Sequence, residues 1–284
     1  MCNFSCKKED SFKQIIAFKY NLNESEIAKI NLEENRIEAY PIDCFILNTI
    51  VLINNDSEVL YAGCDSNLYI LNTRTFELNR VIKLPFLISD AYYHQPTESI
   101  VAFTQIDSNN FNHLVTINLK SEEVVEDHLI ATEIDDGYLV CSSILDNANN
   151  YYIVNSDSIL LKYNIFDGQL QNSLQLPFVL YNSVYDQIEN DLIGTFYDFD
   201  INRNIIALID LDSFRIKRTV PLDPATDNIY LCATDFESKS GLYVFVKFID
   251  ETKSQILYID YNTGLATDSF EIDYAFNHIE LFTN

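Results

Sequence analysis

The sequence has 284 residues, and its 48% hydrophobic content with 18 Tyr and 19 Phe is typical of a packed globular protein and excludes a disordered chain. Its 43 acidic and 18 basic residues give a formal net charge of −25, which repels phosphate backbones, so we expect no nucleic-acid partner. No apolar run reaches the ~20 residues of a transmembrane helix. The six cysteines form no CxxC pair and match no zinc spacing.

Residues 1–10, "MCNFSCKKED", precede the first predicted strand and form a polar tether. Ser5 and Cys6, followed by two lysines and two acidic residues, resemble the processing junction and surface-export signal of bacterial lipoproteins. That resemblance implies lipidation at Cys6 and a lipid-anchored protein at the outer membrane or surface of a Gram-negative cell. It also requires a signal peptide upstream of Met1, because no basic or apolar leader precedes Cys6. The alternative is a cytoplasmic protein.

One motif recurs along the rest of the chain: an apolar strand, an Asn or Asp, a short polar turn and a second alternating strand. Its Asn and Asp positions are Asn31, Asn72, Asn118, Asn164, Asp210 and Asp260, at spacings of 41, 46, 46, 46 and 50 residues. Asn and Asp suit this site because their side chains cap nearby backbone and tolerate unusual turn dihedrals. The roughly 25 residues between motifs, such as "NTIVLINNDSEVLYAG" from Asn48, read as a further hairpin.

Four antiparallel strands at a period of about 40–50 residues predict the blade of a β-propeller. The C-terminal "NHIELFTN" matches an innermost strand but has no hairpin partner after it, whereas "SFKQIIAFKYN" near the N-terminus matches the missing partner. We therefore predict an all-β fold over residues 11–284: a six-bladed β-propeller of four-stranded antiparallel blades, whose ring is closed by the C-terminal strand joining the N-terminal blade. Closure pairs the edge strands that an open ring would expose.

The residues that carry the repeat resemble known propellers. The segments "YILNTRTFELNRVIKL" from Tyr69 and "LIDLDSFRIKRTVPL" from Leu208 resemble the YVTN-type repeat, and "LYIDYNTGLATDSF" from Leu257 is similar to the quinoprotein-like repeat. The resemblance covers residues 11–284 and implies the fold. The sequence has no Trp, which quinoprotein blades use for packing, so we expect no quinone and no cofactor other than Ca²⁺.

Propellers bind ligands where the innermost strands begin, at the mouth of the central channel. Aligning the six inner strands predicts a ring of small polar residues there, formed by Asn48, Asp90, Cys141, Asn182, Cys232 and Asn277. The alternative is that these side chains hydrogen-bond neighbouring backbone where the blades crowd together. The ring also resembles the metal site of gluconolactonase-type lactonases, which would make Asp90, Asn182 and Asn277 metal ligands. No Glu stands at an equivalent position, and two cysteines suit a hard metal badly.

A second candidate metal site lies in "YDFDINRN" at 197–204, where Asp198, Asp200 and Asn202 match the opening of a calcium loop. Arg203 replaces the required Gly, so the alternative is a solvated loop joining the second and third strands of its blade. The four histidines have no Ser or Cys at a motif spacing, and a nucleophilic triad is not predicted.

We therefore predict a non-enzymatic, monomeric binding propeller that presents its channel mouth to a protein or carbohydrate at the cell envelope and touches the membrane only through its lipid anchor. The fold supports this function by analogy alone, because propellers serve many functions. The alternative is a metal-dependent, gluconolactonase-like hydrolase acting in the channel. A third hypothesis is a cytoplasmic scaffold.

Overall fold

The computed structural model describes most of the chain, and all structural statements below concern these residues. They are residues 14–20, 25–42, 46–53, 57–63, 66–105, 112–130, 140–156, 158–222, 233–237, 241–250, 252–276 and 278–281. The N-terminal tether with Cys6 lies outside this set, as do Cys232 and Asn277.

The described strands form six antiparallel sheets of four strands each, which we number as blades 1–6. Blade 1 contains β24 (His278–Leu281), β1 (Gln14–Tyr20), β2 (Ser25–Asn31) and β3 (Arg36–Ile42). Blade 2 contains β4 (Ile46–Ile53), β5 (Glu58–Gly63), β6 (Asn67–Asn72) and β7 (Leu78–Lys83). Blade 3 contains β8 (Leu87–His94), β9 (Ser99–Gln105), β10 (Asn112–Asn118) and β11 (Glu123–Ile130).

The second half of the chain repeats this order. Blade 4 contains β12 (Val140–Asp146), β13 (Tyr151–Ser156), β14 (Ile159–Asn164) and β15 (Leu170–Gln175). Blade 5 contains β16 (Tyr181–Asp186), β17 (Asp191–Asp198), β18 (Arg203–Asp210) and β19 (Arg215–Pro221). Blade 6 contains β20 (Ala233–Glu237), β21 (Leu242–Asp250), β22 (Lys253–Asp260) and β23 (Leu265–Ile272).

The ring closes as predicted. The inner strands contact one another in the order β24, β4, β8, β12, β16, β20 and back to β24. The C-terminal strand β24 pairs antiparallel with β1, with Ile15 opposite Leu281 and Phe18 opposite His278. The Asp235 side chain of blade 6 fixes the closing strand further, because its Oδ2 accepts the Leu281 backbone N–H at 2.6 Å. The six-bladed, all-β fold class is therefore confirmed.

The hydrophobic core is divided among the contacts between blades. The described buried apolar residues form six clusters, and each cluster draws its members from two neighbouring blades. A middle strand such as β18 is therefore covered on both faces, and its residues from Asn204 to Ile209 are all buried. The fourth strand of the same blade, β19, is mostly exposed. Burial of the middle strands between blades explains why segments such as residues 205–209 read as nearly continuous apolar runs.

The antiparallel order gives the ring two chemically different ends. We call the end where the inner strands begin the channel-mouth end; it also carries the turns between second and third strands. We call the opposite end the hairpin end; it carries the turns between first and second and between third and fourth strands. The one helical element of the described chain, a single 3-10 turn at Gln95–Thr97, lies at the hairpin end. In the part of the chain that the structure describes, no helix is long and apolar enough to cross a membrane.

The recurrent Asn or Asp opens the turn between the third and fourth strands in all six blades. Its side-chain oxygen accepts backbone N–H groups two or three residues later, as from Arg74 and Thr75 to Asn72 and from Asp212 and Ser213 to Asp210. The capping role is therefore confirmed. The unusual dihedral falls instead on the residue four positions after the cap, which has a positive φ in every blade. These residues are Asn35, Phe76, Glu122, Gly168, Phe214 and Gly264.

Candidate functional site: the channel-mouth end

Four of the six predicted ring residues lie on described inner strands, and each lies at or beside a break in strand register. Such breaks occur between Ile46 and Ile50, Ile88 and Asp90, Val140 and Ser142, and Tyr181 and Val184. Counted back from the last paired residue of each inner strand, Asp90 and Asn182 stand four positions away, whereas Asn48 and Cys141 stand five away. β-Bulges redirect side chains locally, so sequence spacing alone does not fix which of these residues face the same way.

Asp90 joins blade 3 to blade 4. Its Oδ2 accepts a 2.5 Å hydrogen bond from the hydroxyl of Ser143, and its Oδ1 accepts the Ala91 backbone N–H at 2.9 Å. The Ser143 Oγ also lies 2.6 Å from the Tyr152 hydroxyl. Burial of Tyr152, reinforced by the negative charge of Asp90, raises the pKa of its phenol well above the ordinary value. Tyr92 adds a second connection by donating its hydroxyl proton to the Ser143 carbonyl oxygen.

Asn182 joins blade 5 to blade 6 through its backbone. It has a positive φ of 53°, a conformation that Asn tolerates better than most residues. Its carbonyl oxygen accepts a 2.5 Å hydrogen bond from the hydroxyl of Tyr243, which lies on the second strand of the next blade. The two ring residues whose side chains the structure describes therefore both make contacts between neighbouring blades.

The proposed calcium loop adopts the same capped turn as the repeat motif. Asp198 Oδ1 accepts the backbone N–H groups of Asp200 and Ile201 at 2.9 and 3.3 Å. Asn202, four residues after the cap, has a positive φ of 54°, and its Oδ1 accepts the Tyr197 hydroxyl at 2.5 Å. The Asp-x-Asp-x-Asn spacing is thus sufficiently explained by turn geometry. Among the described residues, no group of three or more His, Cys, Asp or Glu is placed to hold a metal ion.

Sequence reasoning missed an exposed aromatic residue in this turn, between Asp198 and Asn202. Phe199 is 86% exposed, the highest value among the described large hydrophobic residues. Its ring meets the edge of the Tyr197 ring at a centroid distance of 4.9 Å and an angle of 75°. Ile201 in the same turn is 52% exposed. The sequence signal was present, because "FYDFDI" continues the apolar alternation past the end of strand β17, where solvent and not a neighbouring strand is expected.

Two neighbouring segments extend this apolar surface. Tyr181, the first residue of the inner strand β16, is exposed and pairs with Thr195 of β17. Ile249 lies at the corresponding turn of blade 6, the adjacent blade, and is also exposed. We define the mouth-end apolar surface as Tyr181, Phe199, Ile201 and Ile249. Its four residues lie at strand ends or in a capped turn that are anchored in the packed ring.

The buried histidine His94 does not lie at this end. His94 is buried at the hairpin end, where its Nδ1 lies 2.6 Å from Thr97 Oγ1 and its Nε2 lies 3.0 Å from Asn150 Oδ1 of the next blade. Burial lowers the pKa of this imidazole, and the hydrogen bond that Asn150 Oδ1 accepts from Nε2 offsets part of that effect. The most buried histidine of the described chain is therefore a neutral contact between blades.

Comparison with known proteins gives the class of fold and no more. No protein-family model matches the chain, and no curated protein does. Among solved structures, the chain is similar to the β-propeller domain of Cps50 (Swd1) from Myceliophteria thermophila, with a TM-score of 0.59 over 92% of this chain and 88% of that one. The sequence identity is 9%, so the likeness shows a shared propeller fold alone.

Proposed function

We propose that the chain is a non-enzymatic interaction propeller that recognises a macromolecule through its channel-mouth end. The mouth-end apolar surface carries this proposal. Phe199 is the most exposed large hydrophobic residue of the described chain, and aromatic residues are enriched where proteins bind their partners. The propeller fold is consistent with such a role.

The polar residues of the same end support binding over catalysis. The carboxylate of Asp90 accepts hydrogen bonds from Ser143 and Ala91, and Asp198 caps its own turn. Groups used in this way stabilise the ring, whereas a general acid or base must reach a substrate. The lactonase hypothesis needs Ca²⁺ bound by Asp90, Asn182 and Asn277.

The test combines a binding screen with a metal assay on the whole chain. The protein is screened against a displayed random-peptide library and a glycan array. Its thermal unfolding is measured with added Ca²⁺ and, separately, with a chelator. We expect ligands whose binding is weakened by Tyr181→Ser and unchanged by Ile188→Ser, a more exposed apolar residue at the hairpin end. Unfolding that shifts with Ca²⁺, together with lactone hydrolysis and an empty binding screen, would overturn the proposal in favour of the hydrolase.

We further propose that Cys6 anchors the propeller to the outer membrane or cell surface through acyl chains. The support is the Ser5-Cys6 junction and the charged residues after it. Acyl chains hold a protein at a membrane without any spanning segment. Metabolic labelling with an alkyne fatty acid, in a Gram-negative host carrying the native gene, tests this: label on the wild-type chain and none on Cys6→Ser is expected. Equal labelling, or no labelling of either, would contradict the anchor.

The YVTN-type likeness of the repeat remains part of this proposal. It rests on the segments around Asn72 and Asp210 and describes how the blades are built. It adds no ligand to the proposed function.

A further inference from the structure

The turn around Phe199 is held in one shape before any partner arrives. Asp198 caps the backbone of the turn, and the Tyr197 hydroxyl bonds to Asn202 at its far end. The Phe199 ring also rests against the edge of the Tyr197 ring. An aromatic side chain that is fixed in this way loses little conformational entropy on binding, which is the property of an anchor residue.

Carboxylates alternate with the apolar side chains of this surface. Asp198 and Asp200 flank Phe199 in the sequence, and Asp250 follows Ile249 in the adjacent blade. Hydrogen bonds from Thr252 lower the pKa of Asp250, so this carboxylate is charged at neutral pH. Two cations lie nearby: Lys253 forms an ion pair with Asp273 at 3.2 Å, and Arg203, the first residue of β18, stands opposite Asp198 in the strand pairing. The carboxylates of Asp198, Asp200, Asp250 and Asp273 outnumber these two cations, so the mouth-end apolar surface carries a net negative charge.

The charge selects the kind of partner. A protein with a formal net charge of −25 attracts cationic segments over long distances and repels anionic ones. A Lys or Arg side chain can pair with these carboxylates and can also lie over the face of the Phe199 ring as a cation–π contact. Neutral glycans gain no charge attraction from the carboxylates, and acidic glycans are repelled. The apolar and charged features together fit a basic protein segment.

We propose that the mouth-end apolar surface docks a Lys- or Arg-rich segment of a partner protein, with Phe199 as the anchor. This inference rests on the proposed function and names the partner class and the residue that recognises it. Cation–π and hydrophobic contact with Phe199 supply the affinity, and Asp198, Asp200 and Asp250 select the positive charge. Steering by the net charge makes association fast at low salt.

The experiment selects partners without assuming their sequence. The full chain is immobilised and panned against a random 12-residue peptide library, and the selected peptides are synthesised for biolayer interferometry. We expect selected peptides to be enriched in Lys and Arg over the input library, with affinity that falls as salt rises. Phe199→Ala is expected to weaken their binding by about tenfold or more, and Asp200→Asn by about two- to fivefold. Ile188→Ala is the matched control at the opposite end and should leave binding unchanged.

Each other outcome separates this inference from the proposed function. Peptides without Lys or Arg enrichment, or with wild-type affinity for Phe199→Ala, would overturn the inference. If those peptides still lose binding on Tyr181→Ser, the channel-mouth end remains the recognition surface and the proposed function stands. Binding found only on a glycan array also overturns the inference. Because Phe199 is exposed, circular dichroism and thermal unfolding should show that Phe199→Ala is folded.

Discussion

The two ends of the ring use the same capped turn but place different residues in it. In the hairpin-end turns between third and fourth strands, the residue after the Asn or Asp cap is buried in all six blades, and Leu211 after Asp210 is fully buried. At the channel-mouth end, the corresponding residue after Asp198 is Phe199, which points its ring to solvent. Both kinds of turn have the cap and the positive φ, so the backbone alone does not determine whether the residue after the cap is buried or exposed. The residue after the cap decides whether the turn places an apolar side chain in the core or in solvent.

The hairpin end also carries polar contacts that join blade 4 to blade 5. The buried Asp146 of blade 4 lies 3.0 Å from the hydroxyl of Tyr185 of blade 5. The Tyr185 hydroxyl is equally close to Asn190 Oδ1, and it has a single proton to share between them. Burial and the charge of Asp146 raise the pKa of this phenol. Lys162 of blade 4 reaches the Leu211 carbonyl oxygen of blade 5 at 2.9 Å. These contacts join blades 4 and 5, as the contacts of Asp90 and Asn182 join neighbouring blades at the channel-mouth end.

The strongest test of this division compares the two residues after the cap. Leu211→Ala should lower the free energy of unfolding by about 2–5 kcal/mol, because it leaves a cavity in the core between blades 4 and 5. Phe199→Ala should change it by less than about 0.5 kcal/mol, because the ring is already in water. Urea unfolding followed by fluorescence gives both values. Equal losses in the two variants would contradict the assignment of different roles to the two ends.

The two caps themselves should differ in the same direction. Asp146→Ala removes the acceptor of the Ala148 and Asn149 backbone N–H groups and of Tyr185, all in a buried site, and should cost about 2–3 kcal/mol. Asp198→Ala removes a similar pair of backbone hydrogen bonds at an exposed turn, where water replaces them. It should cost about 1 kcal/mol or less. Chemical denaturation of both variants at pH 7 measures the difference, and a larger loss for Asp198→Ala would refute it.

The position four residues after the cap supplies a third comparison. Gly264 has a φ of +72°, and a Cβ atom there would overlap the Pro221 carbonyl oxygen of the neighbouring blade. Gly264→Ala should therefore cost about 2 kcal/mol, through both the left-handed backbone and the forced movement of the blades. Asn202 has a φ of +54° at the exposed end, and Asn202→Ala should cost less than about 1 kcal/mol. Thermal unfolding of both variants measures the contrast. Equal shifts would show that only the dihedral matters.

Much of the fold was predictable because its determinants are local. The alternation within each strand and the polar turn that follows it depend on neighbouring residues. The regular interval between the Asn or Asp caps then gives the number of blades. The closing strand followed from the same alternation, because His278–Leu281 reads as an inner strand without its partner. The position of the strained dihedral was less clear, because the cap and the positive-φ residue are four positions apart and only Gly168 and Gly264 signal it by type.

The site was harder to predict because its determinants are contacts between blades. Nothing near Asp90 in the sequence indicates that Ser143, 53 residues later, donates a hydrogen bond to it. Likewise, Phe196 stacks on Phe178 at the edge of a core cluster, whereas Phe199, three residues later and beyond the end of strand β17, is exposed. The sequence around Asp198 and Asn202 was interpreted as a metal site because a capped turn and a calcium loop need the same residue types.

The smallest expected effect concerns pH and again lies at the hairpin end. Burial lowers the pKa of His94 in the folded protein, so on acidification the unfolded chain takes up a proton at its ordinary pKa of about 6.5 before the folded chain does. The stabilising contribution of neutral His94 is therefore complete above that pH and is lost as the pH falls below it. In His94→Gln the decline in the urea midpoint between pH 7.5 and 5.5 should be shallower than in the wild type. Parallel declines in the two proteins would show that the contact between His94 and Asn150 is not what makes the ring sensitive to acid.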